Sequence, residues 1–168
     1  MARLGGFALA ILCLTGPIGA APQHISEMLL NLPGVKGEST VPGFTGWIEL
    51  QEYAYGAELK NAHGETVPLT VTKLVDSTSP ILGEHYSTQE PFRGKTTMLV
   101  RVLYRGESKT LIKLEVEDAV VVSDKQWWSG QDLLETVKFS YRSFVSCIEP
   151  AQSCISWRPG GASGKSAP

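Results

Sequence analysis

Apolar and polar residues alternate with a period of two along most of this chain. Val67, Leu69 and Val71 alternate with Thr66, Pro68, Thr70 and Thr72, the pattern of a strand buried on one face. Ile112, Leu114 and Val116 alternate with Lys113, Glu115 and Glu117. Val137, Phe139, Tyr141 and Val145 alternate with Lys138, Ser140 and Arg142. Further strands are predicted near 28–35, 47–55, 97–104 and 119–123. Turn residues separate them: Pro42-Gly43, Ala62-His63-Gly64, Arg93-Gly94, Arg105-Gly106 and Ser129-Gly130. Short strands at this spacing predict a mainly β fold, a closed or nearly closed barrel or a sandwich.

One helix interrupts the pattern. Ser79 is suited to cap it and Pro80 to occupy its first position, where a missing N–H costs nothing. It is expected to end near Tyr86. The final stretch, 159–168, is too polar and glycine-rich to pack and reads as a flexible tail. No internal repeat or second domain is visible, and 168 residues suit one domain.

The first twenty residues break the pattern. Arg3 precedes an apolar run from Phe7 to Leu14, followed by Pro17, Gly19, Ala20 and Ala21, the layout of a secretory signal peptide over 1–20 cleaved near Ala20. The run is too short for a stable membrane span. Export through the periplasm is therefore expected, with residues 21–158 as the folded domain. A true start at Met28 would instead leave the chain in the cytoplasm.

Two cysteines remain after cleavage, Cys147 and Cys154. In an oxidising compartment an even pair reads as a disulfide, and Pro150 suits the turn between them. So short a loop gives a chain-entropy gain of about 2–3 kcal/mol. Two thiols with no histidine nearby do not make a metal site.

Composition narrows the function. The net charge of −2 excludes a broad electrostatic footprint for nucleic acid. His24, His63 and His85 fall in no zinc spacing. No G-x-S-x-G, phosphate-binding loop or H-E-x-x-H occurs. Glu115, Glu117 and Asp118 cluster, but two of them alternate outward on a strand. No catalytic residue, cofactor or metal is expected.

Four segments, in order, carry a resemblance. They are Gly34-Val35-Lys36-Gly37-Glu38-Ser39-Thr40 with Trp47-Ile48-Glu49-Leu50, then Val71 to Leu82 with Lys73, Asp76, Ser79 and Pro80, then Leu114 to Ser123, and finally Glu135 to Tyr141. Together they resemble the haemolysin-coregulated protein (Hcp) family, the tube protein of the bacterial type VI secretion system. The resemblance implies a β-barrel of two sheets with one short helix outside. It also implies homo-hexameric rings that stack, with secretion-system components or effector proteins as partners. An exported Hcp-like barrel that binds a partner or ligand without building a tube is the alternative, because ordinary tube proteins carry no cleavable signal.

The residues have their own physical readings. Gly34 and Gly37 suit backbone angles that side chains forbid. Glu38 and Ser39 can satisfy the freed N–H groups of that turn or contact a neighbouring subunit. Asp76 can accept from backbone N–H groups at the helix entry, and Lys73 can pair with it or with another subunit's carboxylate. Trp127 and Trp128 read as a loop pair, either an interface anchor or a core or lid element.

Overall fold

The computed structural model describes residues 24–55, 68–149, 151, 153–157 and 165–166. The expected signal peptide, the Ala62-His63-Gly64 turn and Pro150 lie outside these residues, as does most of the tail.

Among the described residues, ten strands and one helix follow in order. They are β1 (His24–Asn31), β2 (Ile48–Glu49), β3 (Glu52–Ala54), β4 (Leu69–Leu74), α1 (Ser79–Thr88), β5 (Phe92–Tyr104), β6 (Glu107–Ser129), β7 (Asp132–Ser140), β8 (Ser143–Ile148), β9 (Ser153–Trp157) and β10 (Lys165–Ser166). The fold is mainly β with a single short helix, as the alternation predicts. Within the expected tail, Lys165–Ser166 pair with β9, a backbone contact that needs no apolar side chain.

All pairings are antiparallel. One sheet runs β10-β9-β8-β6-β5-β1-β2; the other joins β3, β4 and β7 to the far half of β6. The segment 48–54 crosses between them on the opposite side. Leu50 N donates to Met28 O (2.9 Å) and Gln51 N to Thr72 O (2.7 Å). The two sheets thus wrap one core, although the strand ladder does not close into a ring.

β6 differs from the two strands predicted at 112–117 and 119–123, for it is continuous from Glu107 to Ser129. The dihedral at Asp118 explains the apparent break. Its φ of 51° is left-handed, so the inward phase shifts from Leu114 and Val116 to Ala119 and Val121. The kink moves β6 from one sheet to the other. Asp118 Oδ1 accepts from Gly94 N (3.0 Å) on β5, and Arg142 pairs with its other oxygen (3.1 Å). The predicted run through Val145 is likewise two strands. Ser143 and Phe144 are both buried, which turns Val145 away from the core. The single strand predicted at 47–55 is split where the chain changes sheets, and β1 begins earlier and ends sooner than 28–35.

The core holds Leu30, Ile48, Leu69, Val71, Met98, Leu114, Val116, Val137 and Phe139, each nearly inaccessible. Burial of each contributes about 1.5–3 kcal/mol. Leu29 and Leu99 pair in register on the opposite face of the sheet, yet are also buried. Segment 33–47 folds onto this face: Arg101, ion-paired to Glu27, lies over the Phe44 ring, which meets Trp47 edge-on.

Gly34 has a left-handed φ of 79°, as a glycine turn requires. Gly37 is needed for a different reason than the expected backbone angle. It sits against the Trp47–Ile48 peptide, and a Cβ there would lie 2.7 Å from Ile48 N and closer still to the Trp47 carbonyl. The hydrogen bonds Gly37 N to Gly46 O (2.7 Å) and Ser39 N to Trp47 O (2.9 Å) hold the two stretches at this spacing. Gly37→Val is therefore expected to cost about 3 kcal/mol through displaced backbone. Gly34→Ala should cost about 1 kcal/mol through strain alone. Chemical denaturation of the two variants checks this order, and a Gly37 variant as stable as wild type would contradict it.

Candidate functional site

The most polar part of the interior lies where α1 leaves the barrel. On the paired core faces of β4 and β7, Leu69 opposes Phe139, Val71 opposes Val137 and Lys73 opposes Glu135. The ladder ends in an ion pair where its register calls for a third apolar pair. Lys73 is 1% exposed and Glu135 0%, so every charge-bearing atom must find a partner inside the protein.

They do. Lys73 Nζ donates to Asp76 Oδ1 (2.7 Å), Leu74 O (2.9 Å) and Ser79 Oγ (3.0 Å), and stands 3.0 Å from Glu135 Oε2. Ser79 Oγ donates to Glu135 Oε2 (2.8 Å) and accepts from Asp76 N (3.2 Å). Gln126 Nε2 on β6 donates to Glu135 Oε1 (3.0 Å). Asp76 Oδ1 accepts from both Thr78 N (2.8 Å) and Thr78 Oγ1 (2.6 Å). The network ties β4, β6, β7 and the entry to α1 into one body.

Ser79 is not the helix cap. Thr78 holds that position, in a right-handed conformation with no side-chain cap bond, and Ser79 is buried. Its hydroxyl instead bridges two buried charges, Lys73 and Glu135. Pro80 follows in the first turn, where N–H groups are unpaired in any case. The helix runs to Thr88, past the expected end at Tyr86, and closes on Gln89 with a φ of 56°.

Glu38 reaches from the glycine turn to this entry: its Oε1 accepts from Ser77 N (3.1 Å). Ser39 is buried and its Oγ accepts from Val41 N (3.2 Å). The glycine turn and the helix entry, far apart in sequence, thus meet through the Glu38–Ser77 hydrogen bond. Trp127 and Trp128 are on β6 rather than in a loop, opposite Leu134 and Leu133 near the hairpin tip. Trp128 is 69% exposed. Cys147 and Cys154 face each other on β8 and β9 and form a disulfide, with Cα atoms 4.1 Å apart. His24 lies in β1, and His85 stacks on Phe92 at 3.9 Å. Among the described residues, no group of three or more His, Cys, Asp or Glu is arranged to hold a metal.

Sequence reasoning missed Glu135 and Asp124 as members of the network. The signal for Glu135 was present, since it sits in phase with Val137 and Phe139 on a strand whose inward positions are otherwise apolar. Asp124 stands beside Glu135, and its Oδ2 would lie 3.8 Å from a Cβ added at Gly83 of α1. Burial, then the charge of Glu135 and a hydrogen bond with it, push the Asp124 carboxyl up to about 6, against an opposing pull from Lys73. Asp76 moves the other way: burial would raise it, but hydrogen bonds from Lys73 and Thr78 and the Lys73 charge hold it below its ordinary value.

Lys73→Met leaves Glu135 buried without its cation and is expected to cost about 3–5 kcal/mol, whereas Lys73→Met with Glu135→Leu should recover most of the loss. Urea melts of the two variants measure the difference, and equal losses would contradict it. The raised Asp124 gives folding a stability that is full below its ordinary value of 3.8 and lost as pH rises through about 6. Stability should therefore increase from pH 7.5 to pH 5, by on the order of 1 kcal/mol given its partial exposure. Asp124→Asn should flatten this trend, and an unchanged trend would assign it to another group. The lowered Asp76 acts only below this window.

Residues 29–146 match the model of a family described as type VI secretion system effector, Hcp. Among solved structures, Hcp1 from Salmonella typhimurium superposes with a TM-score of 0.71 at 17% identity, over 82% of this chain and 99% of that one. The secreted protein Hcp3 from Pseudomonas aeruginosa does so with 0.64 at 21%, over 79% and 95%. A type VI secretion system effector from Yersinia pestis gives 0.63 at 15%, over 83% and 99%. At these identities the likeness is one of fold. No curated protein matches the chain.

Proposed function

Since this chain belongs to the Hcp family of type VI secretion proteins, we propose that it is a ring-forming tube protein whose hexamers stack and carry or propel effectors. The observation that carries this reading is the family match across 29–146, which spans the barrel from β1 into β8 with α1 and both halves of the helix-entry network. The family serves secretion as a structural component rather than as an enzyme.

The barrel suits such a role. The buried network fixes the helix entry against β4, β6 and β7, and the Glu38–Ser77 bond ties the glycine turn to that entry, so loops that meet a neighbour are held on a rigid frame. Strand edges offer backbone groups for subunit pairing, and a contact between unlike edges closes into a ring when its rotation permits. The exposed Trp127 and Trp128 at the β6–β7 tip have the size and amphipathic character of interface anchors. The N-terminal pattern supports export, and a cross-strand disulfide suits an oxidising compartment.

A second reading is an exported Hcp-like barrel that binds a partner or ligand without building a tube. The signal pattern over residues 1–20 favours it, because an exported copy would not meet a cytoplasmic assembly platform.

Native mass spectrometry and negative-stain imaging of residues 21–168, in the presence and absence of thiol reductant, test both. Six-fold rings in either condition support the tube reading; a monomer in both sinks it and favours the second. Trp127→Ala with Trp128→Ala is expected to weaken assembly at least tenfold while shifting the melting temperature by only a few degrees. A variant that unfolds would assign the pair to the core.

A further inference from the structure

The long sheet is guarded unequally at its two ends. At one end β2 pairs with β1 only at Leu29 and Leu30, with Leu50 N adding a bond to Met28 O. The segment then leaves for the other sheet. Among the described residues, no strand pairs with His24–Glu27 on that side, and a cavity of about 280 Å³ lies beside them, lined in part by Ile25, Met28, Val41 and Leu50. Ile25 is 57% exposed there.

At the other end the edge of β8 is covered. β9 pairs with it from Phe144↔Trp157 to Ile148↔Ser153. β9 has five residues and meets the rest of the fold chiefly through β8 and the two-residue β10; among its described side chains Ser153 and Ile155 are exposed and Cys154 and Ser156 half-buried. A strand of this kind adds little stability by its own packing. What pins it is the Cys147–Cys154 bond, set directly across the ladder. Phe144 and Ser146 point inward, and Ser146 Oγ meets Tyr55 Oη at 3.0 Å, so Cys147 and Cys154 fall on the outer face, both partly exposed. The family match ends at residue 146, before both cysteines and β9.

We propose that the Cys147–Cys154 disulfide is a redox latch that holds β9 over the β8 edge and thereby controls pairing with a second copy of this chain. The inference rests on the ring reading given above. A dithiol reductant opens the latch by thiol–disulfide exchange: one thiolate attacks a cysteine sulfur, a mixed disulfide forms, and the second thiolate resolves it. Two electrons pass to the protein, which takes up two protons as two thiols, and the reductant leaves as its disulfide. β9 then detaches from β8, and Phe144–Ile148 offer unpaired backbone groups beside the apolar Ile112 and Ile148. The occupant is a second copy, because the same chain carries the complementary feature, the unpaired start of β1 with its cavity, at the other end of the same sheet. Opened β8 on one copy against β1 on the next is a head-to-tail contact, the type that repeats into a ring. In the oxidised state the latch keeps this edge from pairing.

The test uses residues 21–168, oxidised and after dithiothreitol, with Cys147→Ser/Cys154→Ser as a reductant-independent open form and Ile25→Lys as a blocked β1 edge. Hydrogen exchange of β9 amides is expected to speed up by about tenfold or more on reduction, with β4 and β7 unchanged. Native mass should shift from monomer to ring in the reduced protein and in the double serine variant. Ile25→Lys should keep the fast β9 exchange but stay monomeric. Rings equally abundant in both redox states overturn the latch and leave the ring reading standing. Fast β9 exchange with monomers in every state overturns the ring reading and, with it, the assignment of a second copy as partner. Unchanged β9 exchange on reduction overturns the latch directly.

Discussion

A buried lysine with no access to water organises this protein. Lys73 cannot remain charged in the interior unless its partners surround it, and four arrive from three directions: Glu135 from β7, Asp76 and Ser79 from the helix entry, and the Leu74 carbonyl from its own strand. Each partner is in turn held by another, Glu135 by Gln126 and Asp76 by Thr78. Removing one member strands a charge, which is why such a cluster behaves as a unit. It contributes little net stability over an apolar substitute. What it supplies is a single permitted placement of α1 against the barrel.

The rest of the architecture follows from that placement and from two close approaches of backbone. Gly37 lets the first turn press onto the Trp47–Ile48 peptide, which positions Glu38 to accept from Ser77 at the helix entry. Asp118, in its left-handed conformation, bends β6 so that one strand serves both sheets. Barrel, helix and turn become one rigid object. For the ring subunit proposed above, this matters because a repeated contact amplifies any looseness in the part that makes it.

Much of this was legible in the residues. Period-two alternation gave the β class, and most predicted strands have counterparts. The polar positions that fall in core phase, Lys73 beside Val71 and Glu135 beside Val137, were a readable sign of a buried pair, though only Lys73 was singled out. The break at Asp118 misled, because a left-handed residue inside a strand and a turn between two strands leave the same mark on alternation. Ser79 misled for a related reason: serine before proline is a good cap, and nothing local reveals that two buried charges compete for its hydroxyl.

The sequence alone determined the class of the fold, the site of the single helix, the family and the cysteines available for pairing, because these depend on periodicity, composition and motif order along the chain. Only the tertiary structure decided which carboxylate meets Lys73, that Gly37 is needed for space rather than for its backbone angle, and that Cys147 and Cys154 lie across a ladder at the sheet's edge. Those facts depend on which strands become neighbours. Strand neighbours are chosen by the burial of the whole core, and no short stretch of residues encodes that choice.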